Sequence, residues 1–145
     1  MDDHEWENEW VPAFKAAAEA MAKEQQRLLE IELADLDGMV GAIKKYDDGS
    51  FGQRGPRVLI FTKFGGAIQK ALTARICEEL GQSQRQAGFY VANSPKAVRG
   101  CRLRCIYLSP SAMPSEDDLR HLYPCLDQKG VWLPYQPFTS DEIIN

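Results

Sequence analysis

"AGFYVANSPKAVRGCRLRCIYLS", residues 87–109, holds two strand-like runs (87–92 and 102–109) joined by nine residues. A link of that length is short enough for a hairpin, whereas a crossover to a parallel strand takes about a dozen residues or more. How this link is read decides the fold. As a hairpin it makes the two runs antiparallel neighbours. Period-two alternation in the second run then puts Arg102 and Arg104 on one face, with Cys101, Leu103, Cys105 and Tyr107 on the other.

On the N-terminal side, "RVLIFTKF" (57–64) reads as a buried strand, apolar on both of its sides. Gly65 and Gly66 open a helix over 67–81, with Ile68, Leu72, Ile76 and Leu80 on one face and Gly81 as its C-cap. On the C-terminal side, Ser115 starts a helix as N-cap, and Glu116, Asp117 and Asp118 suit its positive end. Pro124 ends it. "GVWLPY" (130–135) is the last strand, placed at a sheet edge by Pro134. The order β-α-β-β-α-β is that of a ferredoxin-like α+β core, with both helices on one face of the sheet and the other face open. The alternative is a three-layer α/β fold with a parallel sheet.

Ahead of this core, residues from Pro12 to about Tyr46 carry helix formers throughout. Leu29, Leu33, Leu36, Val40 and Ile43 recur at 4-3-4-3 spacing, a stripe for a partner helix or for the core. The apolar register shifts at Gln25 and Gln26, and Asp37 and Gly38 offer a break. Unbroken, about 35 residues would span roughly 50 Å, more than the rest of the chain covers. The helix therefore either folds back as two or pairs with a second chain, making a homodimer. "HEWENEW" sets Trp6 and Trp10 four apart among acids, so that Trp10 staples the helix start against the core or, alternatively, the segment is an acidic-aromatic docking peptide. The whole reads as one domain: a helical segment (1–45), a loop (46–56), the core (57–137) and a tail (138–145).

Charge divides the chain sharply. Residues 1–48 hold 13 acidic and 5 basic residues, 49–110 hold 2 and 10, and 111–145 hold 6 and 2. Such asymmetry points to a polyanion partner or to neutralisation of one segment by another. On an open sheet face Arg102 and Arg104 would join Lys63, Phe61, Tyr90 and Trp132, with Lys96 and Arg99 extending the basic surface. Cations interleaved with aromatics are what nucleic-acid modules present to phosphates and bases. The acidic helix packed over that face is the competing arrangement.

"RVLIFT" and "RGCRLRCIY" stand where the RNA recognition motif carries its first- and third-strand motifs, and Arg99 and Gly100 resemble the opening of the latter. Cys101 and Leu103 occupy positions where that family has aromatics. "SPKAVRGCRLRCIYLSP" is similar to a segment of the ATPase cores of packaging motors and helicases, but Ser109 and Pro110 replace the paired acids. No GxxxxGK[ST] loop is present either. Neither family is assigned.

No apolar run reaches the roughly 20 residues of a membrane span, and the acidic start "MDDHEWENEW" is unlike a signal peptide. Cys77, Cys101, Cys105 and Cys125 show no CxxC, and His4 and His121 have no ligand spacing, so no metal and no cofactor are expected. Free thiols suit the reducing cytoplasm. His121 beside Asp117 and Asp118 lacks a readable nucleophile, so catalysis is not expected. The chain is thus expected to be a cytoplasmic binding protein whose basic face meets nucleic acid or another polyanion. The alternatives are an inhibitor or adaptor docking or dimerising through the N-terminal helix, and a binder of a small phosphate-bearing ligand at the Gly65 and Gly66 turn.

Overall fold

The computed structural model describes residues 10–46 and 55–138, which excludes Trp6, most of the 46–56 loop and nearly all of the expected tail. Two helices come first, α1 (Val11–Leu33) and α2 (Leu36–Tyr46). Then follow β1 (Val58–Phe61), α3 (Gly66–Leu80), the single turn α4 (Gln84–Ala87), β2 (Phe89–Ala92), β3 (Leu103–Leu108), α5 (Glu116–Leu122) and β4 (Leu126–Leu133). The four strands form one sheet in the order β2-β1-β3-β4, and every pairing is parallel.

This overturns the ferredoxin-like arrangement: the fold is a three-layer α/β sheet. The link over 93–102 is not a hairpin. It winds into a 3₁₀ turn (Pro95–Val98), N-capped by the Ser94 hydroxyl, and carries the chain back to the amino end of the sheet. There β3 pairs with the far side of β1. Because β1 and β2 are only four residues long, a short return is enough to cover them.

Burial explains why the parallel form wins. Val58 and Ile60 face one cluster with Cys105, Tyr107 and Phe89, packed under α3, α2 and the end of α1. Leu59 and Phe61 face a second cluster with Ile106 and Leu108, under α5 and the 3₁₀ turn. An open face would leave Leu59, Phe61, Ile106 and Leu108 in water, forgoing about 1.5–3 kcal/mol each. That is comparable to the whole stability of a small domain, about 5–15 kcal/mol. A strand apolar on both sides needs two covers.

The N-terminal helices break at Ala34 and Asp35, not at Gly38 or at Gln25 and Gln26, through which α1 runs unbroken. Asp35 leaves the helix to accept a hydrogen bond from the Tyr107 hydroxyl on β3. Gly38 lies inside α2 against that pair. A Cβ there would collide with the Tyr107 hydroxyl and come within 2.6 Å of the Asp35 carboxylate. Leu29, Leu33, Leu36, Val40 and Ile43 all pack into the first cluster, so this stripe serves the chain's own core. Trp10 does not staple the helix to the core. It is exposed, with its ring 6.2 Å from that of Phe14. Among the described residues no helix is long and apolar enough to cross a membrane.

The remaining local signals are of familiar kinds. Gly81 takes φ +66° as the C-cap of α3, and Ser115 and Asp118 close a capping box at the start of α5. A second capping box, Ser83 with Gln86, forms the unexpected α4. β4 starts four residues earlier than "GVWLPY" suggests. Its pairing with β3 slips between Leu126 and Val131, and Gly130 fits there because a Cβ would come within 3.0 Å of the Leu103 carbonyl. β4 does lie at the sheet edge.

Burial pushes the Cys105 thiol up to about 12 and raises the Tyr107 phenol, whose hydrogen bond to Asp35 adds to the shift. Both groups are held neutral in the folded chain above the pH at which the unfolded chain ionises them. Their contribution is therefore whole below about pH 9 and is lost as pH climbs toward 12. Urea midpoints should fall as pH is raised from about 9 to 11, and the fall should be shallower in Cys105→Ala and Tyr107→Phe. Parallel curves for wild type and both variants would contradict this assignment.

Candidate anion-binding site

In open parallel sheets ligands favour the crevice at the carboxyl ends of the strands, where strand order reverses. Here that point lies between β1 and β3, beside the Gly65 and Gly66 turn. It is occupied by the chain itself. Glu32, at the end of α1, is fully buried, and its carboxylate accepts a hydrogen bond from Ser111 N–H at 3.1 Å. The Ser111 hydroxyl in turn accepts from Lys63 N–H and meets the Thr62 hydroxyl, both at 3.2 Å. The crevice beside Gly65 and Gly66 is thus taken up by the chain's own side chains. Gly66 serves the turn, at φ +43°.

The cations gather elsewhere. Arg102 precedes β3 and is exposed, whereas Arg104 lies in the strand, half-buried, its N–H bonded to the Arg57 carbonyl at 2.7 Å. They do not share an open sheet face, because among the described residues both faces carry packed clusters. Phe61 is buried in the second cluster, and Tyr90 and Trp132 pack against its edge. Lys63 is exposed at the carboxyl end of β1. The register sets it eight residues beyond the level of Arg102, roughly 26 Å along the sheet.

Lys96, Arg99 and Arg102 do converge. With Arg120 and His121 of α5 they line a cavity of about 480 Å³ between the 93–102 link and α5. No ion pair holds Lys96, Arg99 or Arg102 among the described residues. Arg120 reaches Glu116 at 3.9 Å, an exposed contact worth little in water. Two acids also line the cavity: Asp118 accepts from Ser115 N–H in the capping box, and the exposed Asp117 carboxylate lies 3.7 Å from His121 Nδ1, an ion pair only when the imidazole is protonated. His121 Nδ1 is 2.8 Å from the Asp117 carbonyl oxygen, so Nδ1 carries the proton and donates, which directs Nε2 outward. The acidic helices do not cover this cavity: α2 and the end of α1 lie on the opposite face of the sheet.

One buried guanidinium organises the wall. Arg57, only 3% exposed, donates from Nη1 to the Arg102 carbonyl at 2.6 Å and sets Nη2 3.6 Å from the Asp127 carboxylate. It ties the start of β3 to the irregular start of β4. The sequence reading gives no role to Arg57, which opens an apolar strand, or to Arg120. A basic residue opening an otherwise apolar run was the signal for the first. Nothing local marks the second.

Two thiols, Cys101 and Cys125, also line the cavity. Burial raises both, and Cys125 donates to the carbonyls of Val98 and His121 at 3.4 Å. They stay protonated near neutrality and add no charge. Among the described residues no cluster of three or more metal-ligating side chains occurs. The arrangement can therefore hold an anion by charge and hydrogen bonds.

Comparison with family models, with curated proteins and with solved structures returns no significant match to this chain.

Replacing Arg57 with Ala should lower stability by about 1–3 kcal/mol, because the part-buried Arg102 carbonyl loses a charged donor and the buried Arg57 side chain leaves a gap. Chemical denaturation would measure it. Arg57→Lys should recover only part of the loss, since an ammonium cannot reproduce the fork to carbonyl and carboxylate. A stability change within about 0.5 kcal/mol for Arg57→Ala, the usual range of a surface substitution, would refute the bridging role.

Proposed function

We propose that this chain is an intracellular binding protein for phosphate-bearing anions, nucleic acid among them, and that its site is the cavity between the 93–102 link and α5. The observation that carries this reading is the convergence of Lys96, Arg99 and Arg102, without ion-pair partners, on one concavity beside Arg120. Cations left unpaired around a cavity of ligand size are held apart for an incoming anion, because each would otherwise gain by meeting a carboxylate. The protein acts by holding its ligand. Four unpaired thiols suit a reducing compartment.

Binding of a short 5′-phosphorylated oligonucleotide, followed by anisotropy, should fall roughly ten- to twentyfold between 50 and 200 mM salt if about three cations meet phosphate. Lys96→Ala with Arg99→Ala should weaken it about tenfold or more at low salt with an unchanged melting temperature. Lys63→Ala should change nothing. Salt-independent binding, or an equal loss on Lys63→Ala, would move the site away from this cavity.

A second reading rests on α1. Residues 10–27 are exposed along their whole length, and Trp10, Phe14 and Met21 present apolar side chains to solvent. Such a helix suits a protein partner or a second copy of this chain. Light scattering should then report twice the chain mass, reverting to a monomer in Phe14→Asp with Met21→Asp. A monomeric wild type would remove the dimer.

A further inference from the structure

Arg102 lines a second cavity as well as the basic one. This second space, about 780 Å³, is bounded by Tyr123, by the slipped start of β4 and by the segment that follows it, with Trp132, Asp127, Gln128 and Gln136 in its wall. We propose, resting on the phosphate reading above, that the ligand is a nucleoside phosphate: its phosphate lies among Lys96, Arg99 and Arg102, and its base lies in the second cavity against Tyr123 and Trp132.

The two spaces differ in chemistry as the two ends of such a ligand do. The first collects four cations against two acids, Asp117 and Asp118. The second holds one cation, Arg102, and one carboxylate, Asp127, and is otherwise lined by aromatic, aliphatic and amide residues and Gly130. Tyr123 is 48% exposed, so a ring face is open to stacking. Phe138 meets Tyr123 and Trp132 edge-on, with centroids at 5.7 and 5.3 Å and interplanar angles of 75° and 89°, which sets both ring planes. Bases stack on such rings in a sequence-tolerant way, and the neighbouring carboxamides can meet their in-plane donors and acceptors.

Arg102 sits where the two ends join. Its backbone is fixed by the buried Arg57, so its guanidinium projects from an anchored point. A planar guanidinium suits this position, since it forks onto phosphate with its edge and stacks on a ring with its face. A phosphorylated tyrosine also joins an anion to a ring. Its ring, however, offers Gln128 and Gln136 no polar partners, and covering them unpaired costs affinity.

Calorimetric titration of the full chain with inorganic phosphate, nucleoside 5′-monophosphates, a 5′-phosphorylated trinucleotide and phosphotyrosine tests the assignment. A monophosphate should bind about tenfold or more tighter than inorganic phosphate, the advantage one base stack supplies. Tyr123→Ala should erase that advantage and leave phosphate affinity unchanged, whereas Arg102→Ala should weaken both. Gln128→Ala, at an exposed position, should alter the ranking of the four bases in a chain that melts normally. A trinucleotide binding tighter than the monophosphate assigns the site to a strand end, and the reverse order assigns it to a free nucleotide; either supports the proposal. Equal affinity for phosphate and nucleotides, unmoved by Tyr123→Ala, overturns the nucleoside assignment and leaves the phosphate reading intact. Phosphotyrosine binding as tightly as any nucleotide also overturns it. Absence of phosphate and nucleotide binding alike removes both readings.

Discussion

The four residues of β1 are buried on both sides, and a strand so placed has to be covered by a layer on each face. That single constraint orders the rest of the chain. One cover is built from α2, α3 and the end of α1. The other is built from short pieces: the 3₁₀ turn over Pro95–Val98, α5 and a second 3₁₀ turn, Tyr123–Cys125, that follows it. Because the second cover is made of short pieces, it leaves a gap between them. The basic cavity is that gap.

The same economy of length explains why the usual ligand crevice is closed. With α1 and α2 laid over the first face, the turn between them reaches the carboxyl end of the sheet. Glu32 bonds to the Ser111 backbone there, and Asp35 takes the Tyr107 hydroxyl. These contacts fix the helices to the sheet and fill the switch point with the chain's own side chains. Lys96, Arg99 and Arg102 lie away from it, around the cavity on the second face. Among the described residues, α2 and the end of α1 lie on one side of the sheet and the basic cavity on the other, so these helices do not cover it.

The buried Arg57 links packing to the site. It holds the backbone of Arg102 and approaches Asp127, so the two cavities that share Arg102 are anchored to one core residue. A guanidinium does this where a lysine would not, because its donors are spread in a rigid fork. The irregular start of β4, which the pairing slip and Gly130 permit, brings Asp127 and Gln128 to the wall of the second cavity.

Much of the local structure is set by neighbouring residues alone and is legible without tertiary information. The helix over 66–80 with its glycine cap, the Ser115 start of α5, the four strand positions, the edge place of β4 and the stripe from Leu29 to Ile43 all follow from periodicity and capping chemistry. The sheet's direction of pairing was also hinted at, since "RVLIF" is apolar on both sides. A nine-residue link, however, is compatible with a hairpin and with a short return. Only the burial of both faces decides between them, and burial is a property of what packs against a strand. For the same reason strict alternation fails here. It groups Cys101 and Leu103 with Cys105 and Tyr107, yet Leu103 packs in the second cluster, with Cys101 against it, while Cys105 and Tyr107 lie in the first. The strand is irregular between Leu103 and Cys105, and both Arg104 N–H and Cys105 N–H meet the Arg57 carbonyl. The convergence of Lys96, Arg99 and Arg102 with Arg120, eighteen or more residues apart along the chain, belongs to tertiary structure alone. It depends on where α5 settles across the sheet, and no local energy term in the sequence carries that information.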